Sequence, residues 1–329
     1  MKVWDLHCDT LSVLRHAENE GQPLSFAKNS LHVDLERMKQ GDYLLQCFAC
    51  YVNLGEKDDS PLHACLEMTD LFWRLAARYP DELMPVLGPE DIEKLPASGK
   101  IGAMLTIEEG AVCLDDVRVL RLLYRLGARM MTLTWNYENG LASPNIALTA
   151  GWAVPDTAHG LKEKGFAFLE EMERLRMIVD VSHLSDAGIR DVIRAGTRPF
   201  AASHSNARAL CGHARNLPDD MIRAMGERGC LIGLNFCPSF LDASAEGHRE
   251  RAKSRVSDLA AHARHIMQVG GEDILGLGSD FDGIEGDLEI SGAQDMPALA
   301  EGLRREGFTS RQIEKIFCGN AMRFFRENL

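Results

Sequence analysis

At 329 residues with 45% hydrophobic content, the chain carries enough apolar material for a substantial core, which excludes disorder throughout and fits one large α/β domain or two smaller ones. Acidic residues outnumber basic ones by 49 to 36, and the resulting net charge of −13 disfavours nucleic acid and anionic membranes as partners. Nine cysteines without framework spacing fit reduced thiols rather than a disulfide scaffold. With no basic-then-apolar leader, no long apolar run and no C-terminal anchor, the expectation is a cytoplasmic protein with no membrane partner.

The chain opens with an apolar, strand-like run from Val3 to His7, and a second follows at Leu44 to Tyr51. Cys47 and Cys50 lie three apart within it, so on a strand they face opposite sides and read as core thiols rather than metal ligands. Ser60-Pro61 reads as a cap with a first-turn proline, ahead of Leu62, Cys65, Leu66, Phe72, Leu75 and Ala76 at helical spacing. Further apolar runs follow at Ile101 to Glu108 and Ala128 to Thr134. A helical pattern at Leu169, Met172 and Leu175 precedes the run Met177 to His183, and Ser185 caps a helix carrying Ile189, Val192 and Ile193 that ends at Gly196. Phe200 to His204 and Leu231 to Phe236 come next. Leu259, Ala263, Ile266 and Met267 then make a helix before the last run, Ile274 to Asp280.

Near-continuous apolarity marks strands buried on both faces, as parallel sheets require, and eight of them alternating with helices predict a single (β/α)8 TIM barrel over residues 1–329. An open doubly wound sheet is the competing architecture, but no Gly-rich dinucleotide fingerprint follows the first strand and no Walker A loop is present. Asn139 to Pro155 and Cys237 to Arg251 read as long loops over the barrel mouth.

Functional groups of such barrels gather at the C-terminal strand ends, and candidate metal ligands fall there: His7 and Asp9, Glu108, His183, His204 and Asp280. His7 with Asp9 suits zinc, manganese or iron. Of the adjacent acids, Glu108 continues its strand toward the mouth while Glu109 turns aside. Three imidazoles and two or three carboxylates exceed the needs of one tetrahedral zinc, so two metals are the better count, with Glu108 as the candidate bridge. For a serine nucleophile, Ser182 and Ser203 each precede a histidine, but neighbours on a strand face opposite ways, so direct Ser-His activation within either pair is not expected. Arg215, in Cys211-Gly212-His213-Ala214-Arg215-Asn216-Leu217-Pro218-Asp219-Asp220, follows the sixth run and can grip a carboxylate through two parallel hydrogen bonds.

The stretches Asp5 to Thr10, Ile107 to Gly110, Met131 to Asn136, Gly160 to Ser185, Ser203 to Asp220 and Ile274 to Ile284 resemble, in order, the membrane (renal) dipeptidase family of zinc peptidases, within the amidohydrolase-type metal barrels. Arg215 to Asp220 and Gly278-Ser279-Asp280-Phe281-Asp282-Gly283 are its most specific matches. The resemblance implies two zinc ions per chain, one held by His7, Asp9 and Glu108 and the other by Glu108, His183 and His204, with Glu108 bridging. It further implies hydrolysis of dipeptides, L,L and also with a D-residue at the C-terminal position, by a metal-bridging hydroxide. Asp280 would match the catalytic acid, Arg215 the group binding the substrate carboxylate, and Tyr51 an aromatic pocket position. Many relatives are dimers, so a homodimer is the arrangement the resemblance suggests.

One departure stands out. Where many relatives carry a histidine after Leu-Thr-Leu-Thr, this chain has Trp135, whose indole offers one N–H donor and cannot take up a proton. The alternative reading is therefore a metal hydrolase of the same superfamily acting on another amide, an N-acyl amino acid or a lactone.

Overall fold

The computed structural model describes residues 1–56, 60–147, 152–245 and 251–329. Eight parallel strands close into a ring: β1 Val3–Cys8, β2 Tyr43–Tyr51, β3 Ile101–Glu108, β4 Ala128–Thr132, β5 Ile178–Asp180, β6 Ala201–Ala202, β7 Leu231–Leu234 and β8 Leu275–Leu277. Each pairs with its neighbours in sequence, and β1 pairs with β8 through Asp5 and Leu277 to complete the (β/α)8 barrel. A short strand, Leu83–Pro85, adds to the first half of β3.

The major helices are α1 Thr10–Asn19, α2 Pro61–Arg78, α3 Val117–Arg125, α4 Glu163–Leu175, α5 Asp186–Ala195, α6 Asp219–Glu227, α7 Val256–Gly270, α8 Met296–Arg305 and α9 Asn320–Asn328. Pro61 opens α2, where a missing N–H costs nothing, and Ser185 caps α5 by accepting from Gly188 N. Their apolar faces pack against the outside of the barrel in the larger core cluster, which includes Cys50. Cys47 lies in a second cluster with Trp4, Leu6, Leu45, Met104, Met130 and Leu231, closed by Phe324 and Phe325 of α9. Phe325 stacks on Trp4 with ring centroids 5.3 Å apart, so α9 plugs the barrel from the end at which the strands begin.

Five strands stop short of the lengths expected from apolarity, most sharply β5, β6 and β8, which end before His183, His204 and Asp280. The cause is local. Asp180 Oδ1 accepts from Ser182 N at 3.0 Å and Ser203 N at 2.9 Å, and Asp5 Oδ1 accepts from Ser279 N at 2.9 Å. These carboxylates take amides that a longer ladder would have used, and the chain turns there. His183 and Asp280 consequently sit in left-handed backbone at φ 69° and 63°. Of the expected mouth loops, 139–155 contains a two-residue ladder between Ile146–Ala147 and Trp152–Ala153, and 237–251 begins with the helical turn Pro238–Leu241. Residues 148–151 and 246–250 of those loops lie outside the described residues.

Candidate functional site

Six side chains from β1, β3 and the turns after β1, β5, β6 and β8 converge at the mouth, all at most 9% exposed. His7 Nε2 lies 3.2 Å from Glu108 Oε2, 3.5 Å from Asp9 Oδ2 and 3.8 Å from Asp280 Oδ1. On the other side, Glu108 Oε1 is 2.9 Å from His183 Nε2 and 3.5 Å from His204 Nε2, and the two Nε2 atoms are 3.0 Å apart. The donor atoms fall into three overlapping groups: His7, Asp9 and Glu108; Glu108, His183 and His204; and His7, His204 and Asp280. Glu108 belongs to two of them, with one oxygen toward each side.

These residues fit cations. His183 Nδ1 is 2.8 Å from Asn136 Oδ1, an atom that can only accept, so the ring proton is on Nδ1 and the Nε2 lone pair faces the site. His204 Nδ1 meets Ser203 Oγ at 2.7 Å, and because that hydroxyl donates to Asp180 Oδ2 its oxygen accepts from the ring, with the same consequence. Two imidazole lone pairs and a carboxylate oxygen therefore face each other, while His7 Nε2 and Asp9 Oδ1 are buried without a hydrogen-bond partner. A cluster of acceptors aimed at one point is a metal-ligand set.

The charges bear this out. Burial alone would raise Glu108, but the charge of His7 beside it holds its carboxyl well below the usual range. Burial, reinforced by Glu108, pushes Asp9 up to about 7, and burial pushes Asp280 up to about 6, where Glu108 adds to the rise. Burial also drives His183 down to about 4, aided by the Arg215 charge, so that imidazole stays neutral and free to ligate.

A cavity of about 510 Å³ opens onto this cluster, walled by Val13, Tyr51, Trp135, Phe240 and Ile284 among others. Tyr51 and Trp135 meet edge to face at 4.9 Å, and the Trp135 ring lies 6.0 Å from that of His183. Glu109 turns off its strand at φ 117° and is fully buried, accepting from Ala111 N, Trp135 N and Asn139 Nδ2. Arg215 stands one contact back from the wall. It is 3% exposed, its Nη2 donates to the His204 carbonyl, and its guanidinium lies 5.5 Å from the Phe240 ring. Its Nε has no partner, and among the described residues no carboxylate pairs with it.

Strand alternation would turn the Ser203 and His204 side chains to opposite faces, yet the two touch. Both lie beyond the end of β6, where strand alternation no longer applies, and Ser203 Oγ bonds the His204 ring. Sequence reasoning gave no role to Asn136, or to Asn235, whose Nδ2 donates to Asp280 Oδ2 at 2.9 Å. The available signal was an amide interrupting each apolar strand end.

A parallel barrel with histidines and carboxylates gathered at its C-terminal mouth has the architecture of a (β/α)8 metallohydrolase. Residues 1–328 match the family model for membrane dipeptidase (peptidase family M19). An uncharacterized dipeptidase of Schizosaccharomyces pombe is 32% identical over 342 residues, covering 99% of this chain and 80% of that protein. Among solved structures, a metallopeptidase from Rhodobacter sphaeroides bound to a phosphinate mimic of the dipeptide L-Ala-D-Ala superposes with a TM-score of 0.89 at 26% identity, covering 100% of this chain and 99% of that one. A second, the M19 metallopeptidase dipeptidase AC, gives 0.88 at 27% identity over 100% and 99% of the two chains. The chain belongs to the membrane dipeptidase family and is a metallo-dipeptidase. Among the described residues, no helix is long and apolar enough to cross a membrane.

Proposed function

We propose that the chain, acting as one domain in the cytoplasm, is a dinuclear zinc dipeptidase in which His7, Asp9 and Glu108 hold one ion and Glu108, His183 and His204 the other. The observation that carries this reading is the split of the Glu108 carboxylate, one oxygen toward His7 and the other toward His183. Two ions held there would supply Lewis acidity toward the scissile carbonyl and would lower the pKa of water toward about 7.

The remaining steps belong to side chains. Asp280, held by Asn235 and lifted to about 6, takes the proton of the attacking water and returns it to the leaving amine. Arg215, with an unpartnered Nε and no carboxylate of its own, binds the free carboxylate of the substrate. The apolar walls around Tyr51 and Trp135 exclude water and receive the side chains, and the cavity volume suits two residues. The ligand of the Rhodobacter sphaeroides neighbour supports acceptance of L,D dipeptides alongside L,L.

Trp135 favours a second reading. An indole in the wall offers one N–H donor, takes up no proton and is bulkier than an imidazole, which alters oxyanion stabilisation and the size of substrate that fits. A kinetic screen of zinc-loaded enzyme against L,L and L,D dipeptides, N-acyl amino acids and lactones separates the two. The dipeptidase reading expects the highest kcat/KM on dipeptides; turnover confined to substrates lacking a free α-amine refutes it.

A further inference from the structure

We propose that Asp180 and Ser203 form a buried positioning relay that locks the His204 imidazole with its Nε2 lone pair toward the site, and thereby sets the metal affinity of the position that His204 shares with His183. The proposal rests on the reading of His204 as a metal ligand.

Ser203 is fully buried beneath the cluster, with its Oγ 2.7 Å from His204 Nδ1 and 2.6 Å from Asp180 Oδ2. The Ser203 hydroxyl donates its single proton to Asp180 Oδ2, and its oxygen is left to accept from His204 Nδ1. The carboxylate is itself held by Thr132 Oγ at 2.7 Å and by the amides of Ser182 and Ser203. The serine backbone cannot slide either. Its carbonyl packs against Gly233 and Gly278, where a Cβ at either position would come within 1.9 Å of that oxygen. Every joint from the barrel interior to the ring is thus fixed.

The barrel contains an internal comparison. Asp5 holds Ser279 in the same way, through its amide at 2.9 Å and its hydroxyl at 2.6 Å. The Ser279 hydroxyl, however, next meets the His7 carbonyl at 3.3 Å and no imidazole. His183 is oriented by Asn136, in the cavity wall. Among the described residues, only the Asp180–Ser203 pair links a buried carboxylate through a hydroxyl to a ligand ring, the arrangement that raises ligand basicity and fixes its tautomer.

The test is competitive zinc titration of the full chain against a chromophoric chelator. Ser203→Ala is expected to weaken one of the two zinc affinities by about 10- to 100-fold and to leave the other at its wild-type value. Thr132→Val removes one of the hydrogen bonds that hold Asp180 without touching the ring, and is expected to weaken the same ion by less than Ser203→Ala does. Thermal unfolding of the metal-free forms reports whether each variant folds. Should Ser203→Ala fail to fold, Ser203→Cys preserves the volume with a poor donor and is expected to weaken the same ion. The relay is overturned if Ser203→Ala, or Ser203→Cys in its place, binds both ions as wild type does, or if it weakens both ions equally. A wild-type chain that takes up no zinc overturns instead the metal reading beneath it.

Discussion

Glu108 and Glu109 are chemically alike and adjacent, yet one faces the cluster and the other braces the loop that carries Trp135. On β3 the side chains of Met104, Thr106 and Glu108 share a face, so Glu108 inherits the barrel axis from its register. Glu109 leaves the strand at φ 117° and spends its oxygens on three N–H donors, and burial pushes its carboxyl up to about 7. Arg215 illustrates the opposite economy: a buried guanidinium that keeps donors in reserve. Replacing it by Ala should lower kcat/KM for dipeptides by about 1.5 to 3 kcal/mol, roughly 10- to 150-fold, the cost of a lost charge-assisted contact. Dipeptide amides, which lack the carboxylate, should lose far less, and equal losses on both substrates would remove Arg215 from recognition.

The elements show why strand ends were harder to read than strand centres. Apolar runs continue past Asp180 and Ala202 in the sequence, but a carboxylate from inside the barrel captures the next amides and ends the ladder. At β6 that capture depends on Asp180 of the neighbouring strand, 23 residues earlier in the chain. On the helical side, α7 brings buried His262 against the loop after β6, where its Nδ1 accepts from Ala207 N at 3.1 Å. Burial holds this imidazole down to about 4, below the ordinary 6.5, so it is neutral in the native fold. Above pH ~6.5 both states are unprotonated; as pH falls toward about 4 the unfolded chain takes up the proton first, and stability drops by roughly 3 kcal/mol across that window. His262→Gln cannot titrate, so the unfolding free-energy gap between wild type and variant should shrink steadily from pH 7 to 4.5. A constant gap would show that His262 does not report this linkage.

At the scale of the whole molecule, closure of the barrel brings residues 7 and 280 together and assembles a cluster no segment holds by itself. The cluster crowds lone pairs and carboxylates, so ions bound there also hold the mouth together. Ligation at 1,000 times Kd stabilises by about 4 kcal/mol per ion, and stripping both with a chelator should lower Tm by on the order of 10 °C or more, reversibly on adding zinc back. An unchanged Tm would mean that the ions do not couple to the fold.

The sequence alone determined the eight strands, their order, and which residues stand at their C-terminal ends, because burial on both faces forces unbroken apolar runs and ligands must interrupt them. It could also place Cys47 and Cys50 on opposite sides of one strand, since alternation is a local rule. Tertiary structure decided the rest: the left-handed turns that aim His183 and Asp280, the contact from Ser203 to His204, and the retreat of Arg215 behind Phe240. Each of these depends on hydrogen bonds or packing between residues far apart in the chain, which no pattern along the sequence encodes.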